Sequence, residues 1–171
     1  MISPAYCQTM ARYNAWQNGS IFRAADVLSV EARREDRGAF WGSIEATLSH
    51  LMWGDLMWVS RFEGVPGPDI TIRNSGAAYD WDALMETRPV LDARIAAWAR
   101  GLSAEDLEGD LSWYSGAMQR DITQPMPLCA VHFFNHQTHH RGQVHAMLTA
   151  AGARPDDTDI PFMPEDIPEW R

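Results

Sequence analysis

At 171 residues and 46% hydrophobic, with eight tryptophans, the chain has the material for one domain with one core over residues 1–171. Its formal net charge of -9 disfavours a nucleic-acid backbone or an anionic membrane surface as a partner. No run approaches the roughly 18 apolar residues of a membrane span. The start, Met1-Ile-Ser-Pro, has no basic region followed by an apolar stretch, and Cys7 and Cys129 are too few and too distant for a disulfide framework; a reducing cytoplasm is the expected home.

Four helices are predicted. The first runs from Pro4 to about Leu28, with Ser3 as its cap and apolar Tyr6, Met10, Tyr13, Ile21, Ala24, Val27 and Leu28 stepping by threes and fours. Gly19 weakens its middle without breaking it. A polar link from Glu31 to Gly38 follows. The second helix covers Ser43 to Phe62 and is apolar around much of its circumference, which implies packing on several sides; Gly64-Val-Pro-Gly-Pro68 ends it. The third starts at its N-cap Asp80 and reaches Arg100, ahead of Gly101, with Pro89 inside it as a kink or an irregular turn. From Leu107 to Met126 the helical period fails, and Leu111 to Thr123 reads as two short strands around Ser115-Gly116. Pro127 opens the fourth helix, which runs to about Ala151 and stops at Gly152. The tail, Ala153 to Arg171, holds four of the ten prolines and is expected along the surface as extended chain. The fold class is therefore all-α, a four-helix bundle with a short irregular or hairpin segment between the third and fourth helices.

Five of the six histidines fall between His132 and His145. At about 100° per residue, His132 and His140 lie within roughly 40° of His136 on either side of one helical stripe. Gln143, Met147 and Cys129 share that stripe, His139 sits at its edge, and His145 points to the opposite face. Imidazoles on a buried face cost free energy unless their ring nitrogens are satisfied, and a divalent ion satisfies several at once. Two rings one turn apart can reach one ion, but a third ligand must come from another helix. His50, the one histidine outside the cluster, lies centrally in the second helix on a face with Ser43, Ala46, Met57 and Arg61. Spacing alone leaves the pair open between His132/His136 and His136/His140. The alternative is a metal-free cluster of hydrogen-bonded core histidines.

Three neutral imidazoles would leave an ion with its full charge and an open position, which is the catalytic pattern. Such an ion can acidify water, polarise a carbonyl or hold a thiolate. No His-Glu-x-x-His run places an acid beside the pair, which disfavours a zinc peptidase. Glu45 and Asp55, about 140° from His50 on its helix, face largely away. Asn14 and Asn18, one turn apart on the first helix, could orient a ligand or a metal-bound water, with plain surface amides as the alternative. Gln143 could hydrogen-bond within the cavity, and Arg141 is expected to make a salt bridge. Cys129 reads as a small apolar residue, and Trp16, Trp53 and Trp58 as core first and cavity wall second.

The run Asn135-His136-Gln-Thr-His-His140-Arg141-Gly142-Gln143 resembles the signature of the DinB (damage-inducible) family, in the DinB/YfiT-like superfamily. Tyr13-Asn14-Ala-Trp16-Gln-Asn18 is similar to the family's opening-helix motif, and Thr47-Leu-Ser-His50 with Asp55 and Trp58 to its second-helix segment. Cys129 departs from the pattern. The resemblance implies an up-down-down-up four-helix bundle, often a homodimer, in which His50, His136 and His140 hold a divalent metal and His132 lines the cavity. Zinc or nickel is expected at such a site, with iron or manganese as further options. The implied activity is that of a metal-dependent transferase or isomerase working through a low-molecular-weight thiol on a small-molecule ligand, with no nucleic acid and no membrane as partner. Two alternatives stand beside it: a non-catalytic, stress-related metal-binding bundle closed by a fourth ligand, and a hydrolase using metal-bound water.

Overall fold

Ser3, Ser29, Ser43 and Asp80 each accept a hydrogen bond from the backbone N–H three residues on, and each opens a helix. In the computed structural model, which describes residues 2–167, these helices are α1 (Pro4–Asp26), α2 (Val30–Arg34), α3 (Ile44–Glu63) and α4 (Trp81–Gly101). Helix α5 (Met126–Ala150) has no side-chain cap and starts instead with Pro127 in its first turn, where a missing N–H costs nothing. Helix α3 ends on Gly64, whose φ of 67° lies in the left-handed region that glycine enters without strain.

The structure corrects two expectations of local structure. Helix α1 stops at Asp26, with Val27 as its C-cap, rather than reaching Leu28. The polar link after it contains α2, whose Ser29 cap and first-turn Glu31 suffice for a short helix. Of the two readings of Pro89, the irregular turn is excluded, since helix α4 continues through it as one helix. The segment before α5 does form the expected hairpin: β1 (Asp110–Ser115) pairs antiparallel with β2 (Arg120–Pro125), placing Trp113 opposite Ile122.

Each of the four long helices packs against two others, α1 and α3 both touching α4 and α5. Phe22, Ile44, Leu48, Met52, Leu84, Leu91, Ile95, Phe133 and Phe134 are fully buried between them, each contributing about 1.5–3 kcal/mol by leaving water. Through this apolar core runs one polar node. Arg88 on α4 lies 2.6 Å from Asp55 on α3 and 2.7 Å from Asp92 one turn along its own helix. Gln137 on α5 donates to Asp55 (2.8 Å), and Asn18 on α1 donates to Asp92 (2.9 Å). All five side chains are buried, so one ionic network links the four helices.

The tail runs along α1, held by the Tyr13 hydroxyl on the Thr158 carbonyl, Gln17 on the Asp157 carbonyl and Arg12 on the Pro164 and Glu165 carbonyls. It is extended apart from one 3₁₀ turn at Ile160–Phe162; the expectation for residues 168–171 lies outside the described residues. No helix among the described residues is long and apolar enough to cross a membrane. Both cysteines are buried and unpaired.

Candidate metal centre

The α3–α5 contact brings His50 against the histidine stripe of α5. One ring nitrogen from each of His50, His136 and His140 lies within 4.8 Å of the other two, a group that could hold a metal ion. His132 falls outside this group: its side chain is exposed, with its ring 5.0 Å from the Trp58 ring and 5.8 Å from the His136 ring.

The hydrogen bonds fix which nitrogens face inward. The Ser75 hydroxyl donates to the Ile72 carbonyl (2.7 Å), so it accepts from His50 Nδ1 at 2.7 Å. His140 Nδ1 donates to Gln143 Oε1 at 2.8 Å. Both Nε2 atoms are then unprotonated donors of a lone pair, the tautomer that metal ligation requires. His50 Nε2 lies 3.2 Å from His136 Nε2, while His136 Nδ1 is buried with no partner among the described residues. Without an ion, His136 must give its one proton to one of these positions and leave the other unsatisfied. A cation between the Nε2 atoms takes up the two facing lone pairs and fixes the His136 proton on Nδ1, so the donor set fits a divalent metal. Burial, reinforced by the neighbouring His140, pulls the His50 pKa down to about 4 and that of His136 to about 3; burial also lowers that of His140. All three rings are therefore neutral at physiological pH.

Neighbouring residues set these positions. Ser75 sits in a 3₁₀ turn (Ile72–Ala77) that α3 anchors through Ser49, whose hydroxyl donates to the Ser75 carbonyl and accepts from the Ala78 and Tyr79 amides. Trp41 stacks on the His50 ring at 4.2 Å, and a Cβ on Gly76 would meet Trp41 at 2.9 Å. On α3 itself, a Cβ on Gly54 would stand 2.8 Å from His136 Cε1. Two predictions arise. Ser75→Ala frees the His50 ring and its tautomer, and is expected to weaken metal affinity by about 10–100-fold in a chelator competition titration. Gly54→Ala pushes the His136 ring off the triad without removing any ligand. It is expected to weaken affinity by at least about tenfold while the far-ultraviolet circular dichroism stays unchanged.

A cavity of about 930 Å³ opens beside His50 and His136, walled by Trp53, Trp58, the 68–73 segment and the tip of the hairpin. Trp53 and Trp58 thus serve as wall, whereas Trp16 is core. Gln143 meets the triad through His140. Neither Asn14 nor Asn18 is hydrogen-bonded to it: Asn18 belongs to the buried node, and Asn14 is buried with its amide unpaired among the described residues. Their alternative as surface amides is equally excluded. Arg141 makes no ion pair among the described residues. It is buried over the Tyr13 ring, where its charge acts on Asp55 and Asp92 from beyond contact distance. The acids nearest His50 on its helix are committed elsewhere, Asp55 to Arg88 and Glu45 to Arg34.

Spacing could not find Ser75, Trp41 or Gly54. The first two lie on connections, and the third is legible only once α5 is seen to cross at that point.

The DinB family model matches residues 1–170. Among curated proteins, the chain is similar to Protein DinB of Bacillus subtilis (strain 168), 28% identical over 155 residues, which are 86% of this chain and 87% of that protein. No solved structure matches.

Proposed function

The chain belongs to the DinB family, and from that premise we propose that it is a divalent-metal-dependent protein that transfers or isomerises small molecules by means of a low-molecular-weight thiol. The observation that carries this reading is the convergence of three neutral imidazoles beside a cavity large enough for a small molecule. A divalent ion held by His50, His136 and His140, zinc or nickel before iron or manganese, would supply the charge that keeps a thiol as its thiolate near neutral pH. The chain's own residues do the rest. Ser75 and Gln143 fix two rings, Trp41 and Trp53 shield the His50 faces from water, and the aromatic wall seats the electrophile. In transfer, a carbon–sulfur bond forms as the electrophile's leaving group departs with its bonding pair, and the thiol proton passes to solvent. No net oxidation occurs.

This reading is favoured over a non-catalytic closed site because His132 stays outside the triad and no carboxylate joins it among the described residues. It is favoured over a hydrolase because Asp55 and Glu45 are occupied as ion-pair partners and do not serve as a base. The same proposal takes the chain as one domain whose four long helices form an up-down-down-up four-helix bundle, paired as a homodimer in the cytoplasm. The family and the pairwise contacts of the helices support the bundle.

The test loads the protein with zinc and follows consumption of monobromobimane with glutathione, cysteine or mercaptoethanol present. Metal- and thiol-dependent turnover that His136→Ala abolishes supports the proposal; turnover that is identical without thiol, or none with any thiol, contradicts it.

A further inference from the structure

Arg61 lies on α3 in the cavity that His50 and His136 also line. Its guanidinium centre sits 4.7 Å from the Trp58 ring and 5.0 Å from the Trp113 ring, so two indoles fix its position. The residue is half buried, yet its guanidinium makes no hydrogen bond and no ion pair among the described residues. Every other arginine that lies deep in the structure is either ion-paired or buried within reach of the core carboxylates. A fixed, partly desolvated fork of N–H donors with no acceptor is costly unless a ligand supplies one.

The cavity's charge points the same way. Its arginines, Arg61 and Arg73, face one acid, Asp69, which pairs with neither of them. A chain of net charge -9 thus has a cavity with an excess of cations, an arrangement that draws anions inward. We propose that Arg61 is the recognition residue for a carboxylate, and that the ligand of this site carries that carboxylate at one end and the atom held at the histidines at the other. The second half of the proposal rests on the reading of the triad given above. His50 and Arg61 are three turns apart on one helix, roughly 16 Å along its axis. The long arginine side chain leans back toward the helix N-terminus, which leaves a span on the order of 10 Å for the ligand.

The test has two arms. In the first, metal-free protein is titrated with hexanoate and with hexanol, following the tryptophan fluorescence that Trp58 and Trp113 contribute. In the second, cobalt-loaded protein is titrated with ω-mercaptohexanoate and ω-mercaptohexanol, following the sulfur-to-metal charge-transfer band. Wild type is expected to bind each acid about tenfold more tightly than its alcohol, a difference of about 1.4 kcal/mol. Arg61→Gln is expected to lose the preference, and Arg61→Lys, which keeps both charge and stem, to retain part of it. Equal binding of acid and alcohol by wild type, or a preference that survives in Arg61→Gln, overturns the proposal. Absence of the charge-transfer band in every titration contradicts the thiol reading alone, because the hexanoate arm still decides the role of Arg61.

Discussion

Replacing His136 with alanine is expected to abolish tight divalent-metal binding while leaving the helices in place. His136 is the shared corner of the triad: its Nε2 lies 3.2 Å from that of His50, and its ring centre 4.5 Å from that of His140. Without it, one ligand remains on each of two helices, a set too small to hold an ion against water. The loss in affinity, read by calorimetric titration with zinc, should exceed the roughly 10–100-fold that a supporting hydrogen bond carries. The fold should tolerate the change. The ring borders a cavity rather than the packed core, and the variant removes a buried nitrogen that has no partner among the described residues. Retained metal affinity in His136→Ala would mean that His50 and His140 bind with some other partner.

Arg88→Ala is expected to be the most damaging single substitution for stability, costing about 3–5 kcal/mol in urea unfolding. That is a large share of the roughly 5–15 kcal/mol by which domains are stable. Burial raises the pKa of both Asp55 and Asp92, and the nearby Arg88 is the largest influence opposing that rise at each. Removing the guanidinium leaves two carboxylates in the core with only Gln137, Asn18 and the more distant Arg141 to offset them. A second variant separates lost charge pairing from lost packing. Arg88→Met with Asp55→Asn, Asp92→Asn and Arg141→Met removes the buried charges together while nearly keeping volume, and is expected to recover much of the loss. Such a multiple variant no more stable than Arg88→Ala would show that packing, not charge pairing, is what Arg88 supplies.

The order of the helices and the histidine stripe were legible because both are local and periodic. Ser3, Ser43 and Asp80 announce helix starts whatever the tertiary structure. The choice between His132 and His140 was not legible from spacing, since the two flank His136 symmetrically; the crossing of α3 over α5 decides which of them meets His50. The place of Asn18 is not legible for a related reason. Its residue type suits a metal-bound water as well as it suits a buried carboxylate, and the carboxylate it meets, Asp92, comes from a helix far along the chain. Arg88 offered no signal, because an arginine on a helix is usually solvated, and only the depth of Asp55 reveals its role. Ser75, Trp41 and Gly54 support the triad through approaches that no sequence period records. Conversely, α2 hides in a segment whose polarity reads as a link, marked by its Ser29 cap and first-turn Glu31.

The central claim, that His50, His136 and His140 together hold one divalent ion, is tested most directly by metal content. Mass spectrometry would be applied to protein purified without a nickel column, wild type beside His50→Ala. The account predicts a single divalent ion per wild-type chain and none in the variant, since His50 supplies the only ligand that α3 brings to the triad. No metal in either protein, with none taken up when zinc, nickel, iron or manganese is added, would contradict it and leave the histidines as a metal-free cluster.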